Sequence, residues 1–239
     1  MIVYQPKGKA REYADWACNI WRGCSHGCTY CYCPQVLHMN RETFHSDVSL
    51  RPEFFERLEK ECGCGKNRGK NVLLCFTSDP YQPLEAVHKY TRKTIQILHN
   101  GDASVTVLTK APSLALRDLD ILEPGRDVIA TTLTLLDRAV SLSWEPNAEE
   151  PQQRIKAMEL FKSEGFETWV SLEPVIFPRQ TLDIIEETAG LFDLYRIGRL
   201  NYVQNNTDWK QFTEDVVKLC NLYGLRHIIK NDLKEYVQK

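Results

Sequence analysis

Along this chain, short runs of β-branched and apolar residues alternate with longer segments whose apolar positions recur every three or four residues. "VLLCF" (72–76), "VTVL" (105–108), "VIATT" (128–132), "TWVSL" (168–172) and "LYRIG" (194–198) have the length and composition of buried strands. "CNIW" (18–21) reads as a strand ahead of them. Between the runs lie amphipathic helices. Ile155, Met158 and Phe161 share one helical face, and Phe212, Val216, Leu219 and Tyr223 another, with Gly224 as a stop. "LRHIIKNDLKEYVQK" reads as a short strand and a closing helix. Strand-then-helix units in series predict an α/β fold of parallel strands joined by right-handed crossovers, either an open sheet or a barrel. Periodicity does not choose between those two.

Polar residues gather where these strands end. Thr77, Ser78 and Asp79 follow one strand, Thr109 and Lys110 the next, and Thr131 and Thr132 close the third. Glu173 ends a fourth, and Arg196, Arg199 and Asn201 in "YRIGRLNY" follow the last barrel strand as candidates for substrate contact. Ligands of parallel α/β folds bind at the carboxyl ends of strands, where the loops converge. Solvent-facing strand ends are polar in any protein, but here they coincide with a cysteine-rich loop after the first strand.

Composition narrows the setting. The chain has 239 residues, 43% of them hydrophobic, and a formal net charge of −2. No linker divides it, so a single core domain over residues 1–239 with short terminal extensions is expected. The start lacks the apolar stretch of a signal peptide and no run approaches a membrane span. A cytoplasmic, reducing location without membrane contact follows, in which clustered cysteines serve metals or catalysis rather than disulfides. Near-neutral charge argues against a surface coated in non-specific nucleic-acid contacts, while leaving room for a local basic groove.

Four of the nine cysteines fall in "CSHGCTYCYC" (24–33). Cys24, Cys28 and Cys31 form C-x3-C-x2-C, without the second C-x2-C pair of a structural zinc site. Three thiolates on one loop suit three irons of a cubane [4Fe–4S] cluster and leave the fourth iron open for an exchangeable ligand. Gly23 and Gly27 let such a loop wrap closely. Cys33 is too near Cys31 to be a fourth ligand. Cys62 and Cys64, in the Gly- and Lys-rich "KECGCGKNRGK", read as part of a surface loop, and Cys18 and Cys220 as core residues.

With these residues in view, the sequence resembles the radical SAM superfamily, whose signature has this spacing with an aromatic residue, here Tyr30, before the last cysteine. More closely it resembles the spore photoproduct lyase-like (DNA repair photolyase-type) branch. "PKGKAREYADWACNIWRGCSHGCTYCYCP", "TSDPYQPLE", "VLTKAPSLALRDLDIL" and "TTLTLLDRAVSLSWEPNAEEPQQRIKAMELF" match that branch in order, over roughly residues 5 to 175. The resemblance implies a partial (β/α)6 TIM-like barrel with helices outside. It implies a [4Fe–4S] cluster on Cys24, Cys28 and Cys31, with S-adenosylmethionine (SAM) on the open iron. Tyr30 would lie along the adenine, Ser78 and Asp79 would hold the SAM amino group, and Lys110 would pair with the carboxylate. Thr131 or Thr132 would add a hydroxyl, strand alternation allowing only one. An external one-electron reductant of flavodoxin or ferredoxin type would drive cleavage of SAM to methionine and a 5′-deoxyadenosyl radical, which takes hydrogen from a substrate. Tyr32 matches a radical-relaying tyrosine of the lyase. Glu173 is a candidate for ribose or substrate contact, and His26 for shaping the loop.

One departure matters. The lyase has a hydrogen-donating cysteine directly before "TSD", where this chain has Phe76, with Cys75 one residue earlier. A one-residue offset on a strand points Cys75 to the other face. This argues against thymine-dimer repair and leaves nucleic acid, nucleotide or another small metabolite as substrate. DNA photoproduct repair remains one alternative and a non-catalytic zinc or iron–sulfur module another, although the latter leaves "TSD" and "LTK" unexplained.

Overall fold

The computed structural model describes residues 1–200 and 206–237, so Asn201 lies outside the described residues. Its strands are β1 (Trp16–Cys18), β2 (Trp21–Arg22), β3 (Ser49–Leu50), β4 (Asn71–Leu74), β5 (Ser104–Thr109), β6 (Val128–Thr132), β7 (Glu167–Val175), β8 (Leu194–Arg199) and β9 (His227–Ile229). Seven of them form one sheet in the order β1-β4-β5-β6-β7-β8-β9, with every neighbouring pair parallel. The strand expected at 18–21 is split. β1 ends at Cys18, and Trp21 belongs to an antiparallel ribbon of β2 with β3. The sheet gains β9 beyond the six strands expected of the barrel.

Chain order equals spatial order, and the sheet curls on itself. Ala17 of β1, Leu73 of β4, Ala130 of β6, Trp169 of β7 and Leu194 of β8 share one buried cluster, which forms the barrel lumen. The alternate residues, among them Val105, Val107, Ile129, Val170 and Ile197, pack outward under the helices in a larger cluster. This partial barrel is open between β1 and β9.

The helices begin and end where local chemistry says they should. Residues Pro151–Ser163 start at a capping box between Glu150 and Gln153 with proline in the first turn. That helix buries Ile155, Met158 and Phe161, each worth about 1.5–3 kcal/mol of transfer free energy. Asp208 caps the helix Trp209–Leu222, which is followed by Gly224 at φ +65°. Asp137 caps the helix Arg138–Trp144 by accepting the Val140 N–H at 2.8 Å. The helix Phe54–Gly63 runs through Cys62, so that part of the expected surface loop is ordered, and only Cys64 is exposed. Cys18 and Cys220 are fully buried. Among the described residues no helix is long and apolar enough to cross a membrane.

Candidate active site at the barrel mouth

The loop carrying Cys24, Cys28 and Cys31 is pinned from several sides. A Cβ at Gly23 would lie 2.6 Å from the Phe44 carbonyl oxygen, and its φ is +84°, so glycine is required for this approach. The Cys24 N–H donates to that carbonyl at 3.1 Å, and the Cys24 carbonyl meets His45 Nδ1 at 2.7 Å. Buried Gln82 accepts the Ser25 N–H at 2.7 Å. Arg41 donates to the carbonyls of Cys28, Thr29 (2.7 Å) and Cys31 (3.0 Å), holding the backbone with one side chain. His26, 2% exposed, bonds the Asn147 carbonyl through Nδ1 at 2.8 Å, in line with the loop-shaping role expected of it.

The donor set is three soft thiols, which suits an iron–sulfur cluster. Among the described residues no three His, Cys, Asp or Glu side chains converge closely enough to share a single metal ion. Burial pushes the Cys24 thiol well up and the Cys28 thiol to about 12. Cys31, half-buried, is brought down to about 7, chiefly by a hydrogen bond from Cys33 and against the effect of burial. Iron binds these residues as thiolates, so loading the loop would displace their thiol protons to solvent. Cys33 is buried at the start of a short helix, as a neighbour of Cys31.

Asp79 has a structural task beside the one its motif implies. Oδ1 accepts the Tyr81 N–H (2.8 Å) and the Thr109 hydroxyl (2.6 Å). Oδ2 accepts the Lys110 N–H (2.7 Å) and lies 3.3 Å from His26 Nε2. Three hydrogen bonds thus occupy the carboxylate, with the His26 ring alongside. Burial works against the charge, but the His26 imidazole and these donors outweigh it and hold the carboxyl at about 2. Asp79 thus ties the ends of β4 and β5 to the cysteine loop. Ser78 Oγ, by contrast, is buried and has no partner beyond the weakly bonding Cys75 thiol.

Register decides the remaining strand-end residues. Leu108 and Ala130 face the lumen, so Lys110 and Thr132, each two residues on, face it too. Thr131 turns outward and its hydroxyl donates to the Thr109 carbonyl at 2.9 Å, which leaves Thr132 as the inward member of the pair. Lys110 Nζ stands 3.9 Å from Glu145 Oε1 and 5.6 Å over the Tyr30 ring. Glu145 also accepts the Tyr30 hydroxyl, the Thr134 hydroxyl (3.0 Å) and Arg154 (2.5 Å). Burial penalises the Glu145 charge, but Arg154 and Lys110 keep the carboxyl below its ordinary range. Glu145, in "WEP", reads in the sequence as a structural residue or a site contact, and its pairing with Arg154 is not legible there. Its available signal was Arg154 itself, a cation on the apolar stripe with Met158 and Phe161.

Cys75 and Phe76 do point to opposite sides, although not by strand alternation. β4 ends at Leu74, and both Leu74 and Cys75 lie in the outer cluster while Phe76 joins the lumen. The Cys75 thiol, pushed up by burial to about 12, takes the Ile20 N–H at 3.5 Å. Tyr32 is 45% exposed and donates to the Phe76 carbonyl at 3.3 Å. Glu173 Oε2 accepts the Tyr13 hydroxyl and, at 2.7 Å, Lys230 Nζ from the end of β9. Arg196 also faces the lumen, over the Trp169 and Tyr13 rings. Nothing local in the sequence connects Tyr13 or Lys230 with Glu173.

Comparison with known proteins agrees with this geometry. The profile of the Radical SAM superfamily matches residues 18–192. The chain is 25% identical over 193 residues to the uncharacterized protein ORF301 of Acidianus two-tailed virus, covering 75% of this chain and 62% of that protein. It is 28% identical over 166 residues to the uncharacterized protein Rv2578c of Mycobacterium tuberculosis, covering 66% of this chain and 48% of the relative. It therefore spans about half to three-fifths of these relatives. A spore photoproduct lyase variant with bound AdoMet and dinucleoside spore photoproduct superposes with a TM-score of 0.69 at 13% identity, over 94% of this chain and 78% of the lyase. Streptococcus suis SuiB bound to S-adenosylmethionine gives 0.68 at 14% identity, over 92% and 51%. At such identities the likeness is one of fold.

Proposed function

The chain belongs to the radical SAM superfamily, and from that premise we propose that it is an enzyme cleaving SAM at a [4Fe–4S] cluster held by Cys24, Cys28 and Cys31. The observation that carries the reading is the pinned loop of three thiols opening onto the carboxyl ends of parallel strands. When bound, the cluster supplies one electron to SAM, yielding methionine and a 5′-deoxyadenosyl radical that takes hydrogen from the substrate. The protein's own residues position and enclose. Lys110 faces the lumen as a cation for the SAM carboxylate, joined by Thr132. The unpartnered Ser78 hydroxyl is an acceptor in "TSD" for the SAM ammonium. Tyr30, fixed by Glu145, offers a ring edge to the adenine, and Tyr32 stands at the loop beside Phe76.

A one-electron reductant of flavodoxin or ferredoxin type serves as partner. The substrate is a nucleotide or a piece of nucleic acid, a class supported by the dinucleoside spore photoproduct bound to the lyase of the same fold. Phe76 in place of a hydrogen-donating cysteine separates this enzyme from spore photoproduct repair.

Anaerobic reconstitution with iron and sulfide, followed by a dithionite-reduced assay for 5′-deoxyadenosine, tests the reading. Wild type forms the product. Cys24→Ala, Cys28→Ala and Cys31→Ala each lose it together with the cluster absorbance, and Cys64→Ala keeps both. Wild-type turnover in the triple alanine protein defeats the assignment.

A further inference from the structure

Of the groups that meet around Glu173, Glu173, Trp169 and Ser171, whose hydroxyl lies 3.0 Å from that of Tyr13, fall within residues 18–192; Tyr13 precedes them, and Arg196 and Lys230 follow. The part of the chain shared with the family thus contributes a carboxylate, a hydroxyl and an aromatic wall, and the flanking segments contribute a phenol and two cations. Gly198 makes room for the pairing, since a Cβ there would lie 2.8 Å from Glu173 Cδ and 2.9 Å from Lys230 Cδ.

The cluster carries two cations and one carboxylate. Glu173 is taken by Tyr13 and by buried Lys230, whose ammonium sits 4.4 Å over the Tyr13 ring. Arg196 has no carboxylate in ion-pair range among the described residues. Its NH1 donates to the Glu12 carbonyl at 2.7 Å, and its Nε is buried without an acceptor. The guanidinium carbon lies 4.9 Å from the Trp169 ring centroid and 5.6 Å from that of Tyr13. Aromatic faces satisfy a guanidinium's charge but not its N–H groups, which lie in its plane and fit the two oxygens of a carboxylate or phosphate. A buried donor left open at a barrel mouth is a place held for a ligand.

We propose that Arg196, with Lys230 beside it, is the subsite that recognises an oxyanion of the substrate, a phosphate or a carboxylate. It rests on reading the barrel mouth as the catalytic site, and it locates substrate selectivity in the segments outside the shared core.

The test is calorimetric titration of the reconstituted holoenzyme with inorganic phosphate and, separately, sodium acetate, at ionic strength held constant with chloride and with SAM saturating. Saturable binding of one of the two anions identifies the oxyanion. Arg196→Gln then weakens it at least tenfold, and Arg196→Lys, which keeps the charge and loses the fork, recovers part of it. If Arg196→Gln does not fold, Arg196→Lys and Lys230→Gln carry the comparison. Equal affinity in wild type and variants, or no saturable binding of either anion, overturns the proposal. So does anion binding seen without SAM and abolished by it, which would assign Arg196 to the cofactor. Cys24→Ala should lose SAM cleavage and keep anion binding, so the failure of one reading is distinguishable from the failure of the other.

Discussion

On the β4–β6 side of the barrel mouth each buried carboxylate gathers several partners, whereas on the β7–β9 side Glu173 pairs with Lys230 and Arg196 has no carboxylate within 4 Å among the described residues. Asp79 accepts three hydrogen bonds beside the His26 ring, Glu145 is paired with Arg154 and faces Lys110, and all of these residues lie within the span shared with the superfamily. Across the lumen one carboxylate serves Lys230, Arg196 keeps an open donor, and Tyr13 reaches Glu173 across a sequence separation of 160 residues. A saturated polar network is rigid, because moving any member strands another in a medium of low polarity. An unsaturated one holds unused binding capacity. The contrast suits one face that holds a cofactor and another that meets the substrate.

The largest effect is expected where saturation is deepest. Arg154 and Glu145 are each 1% exposed, so Arg154→Met strands a buried carboxylate and should cost about 3–5 kcal/mol in denaturant unfolding. Arg196→Met removes a cation with no carboxylate within 4 Å among the described residues and should cost far less. Equal losses would erase the distinction between the two sides. Lys110 sharpens it next. Lys110→Ala should weaken SAM at least tenfold, as expected for a charge-assisted hydrogen bond of about 1.5–3 kcal/mol, with cluster absorbance intact. An unchanged dissociation constant removes Lys110 from the cofactor face.

Asp79 predicts a pH dependence. Its folded carboxyl, at about 2, lies below the ordinary 3.8, so its contribution is complete above about pH 5 and is lost as pH falls through about 2. The stability gap between wild type and Asp79→Asn should be on the order of 2 kcal/mol near neutrality and shrink steadily in acid. A gap that stays constant from pH 7 to pH 2.5 contradicts the clamp. The smallest effect is expected at Cys75, whose thiol lies in the outer packing. Cys75→Ala should retain most substrate-independent 5′-deoxyadenosine formation, and its loss would mean that the thiol reaches the lumen.

Much of this was legible along the chain because it is local. Strand and helix periodicity, the spacing of Cys24, Cys28 and Cys31 and the polar strand ends each depend on neighbours a few residues away, so residue order alone predicts them. The choice of Thr132 over Thr131 needed only the phase of one strand, which the packing of Ala130 into the lumen supplies. Tertiary structure decided which donors meet which acceptors. Asp79 reads as a free carboxylate until folding brings the His26 ring, the Thr109 hydroxyl and the Lys110 amide to it. Glu173 meets Tyr13 and Lys230 only because the chain's two ends return to the same lumen. Hydrogen-bond satisfaction is a property of three-dimensional neighbourhoods, and no period or spacing in the sequence encodes it.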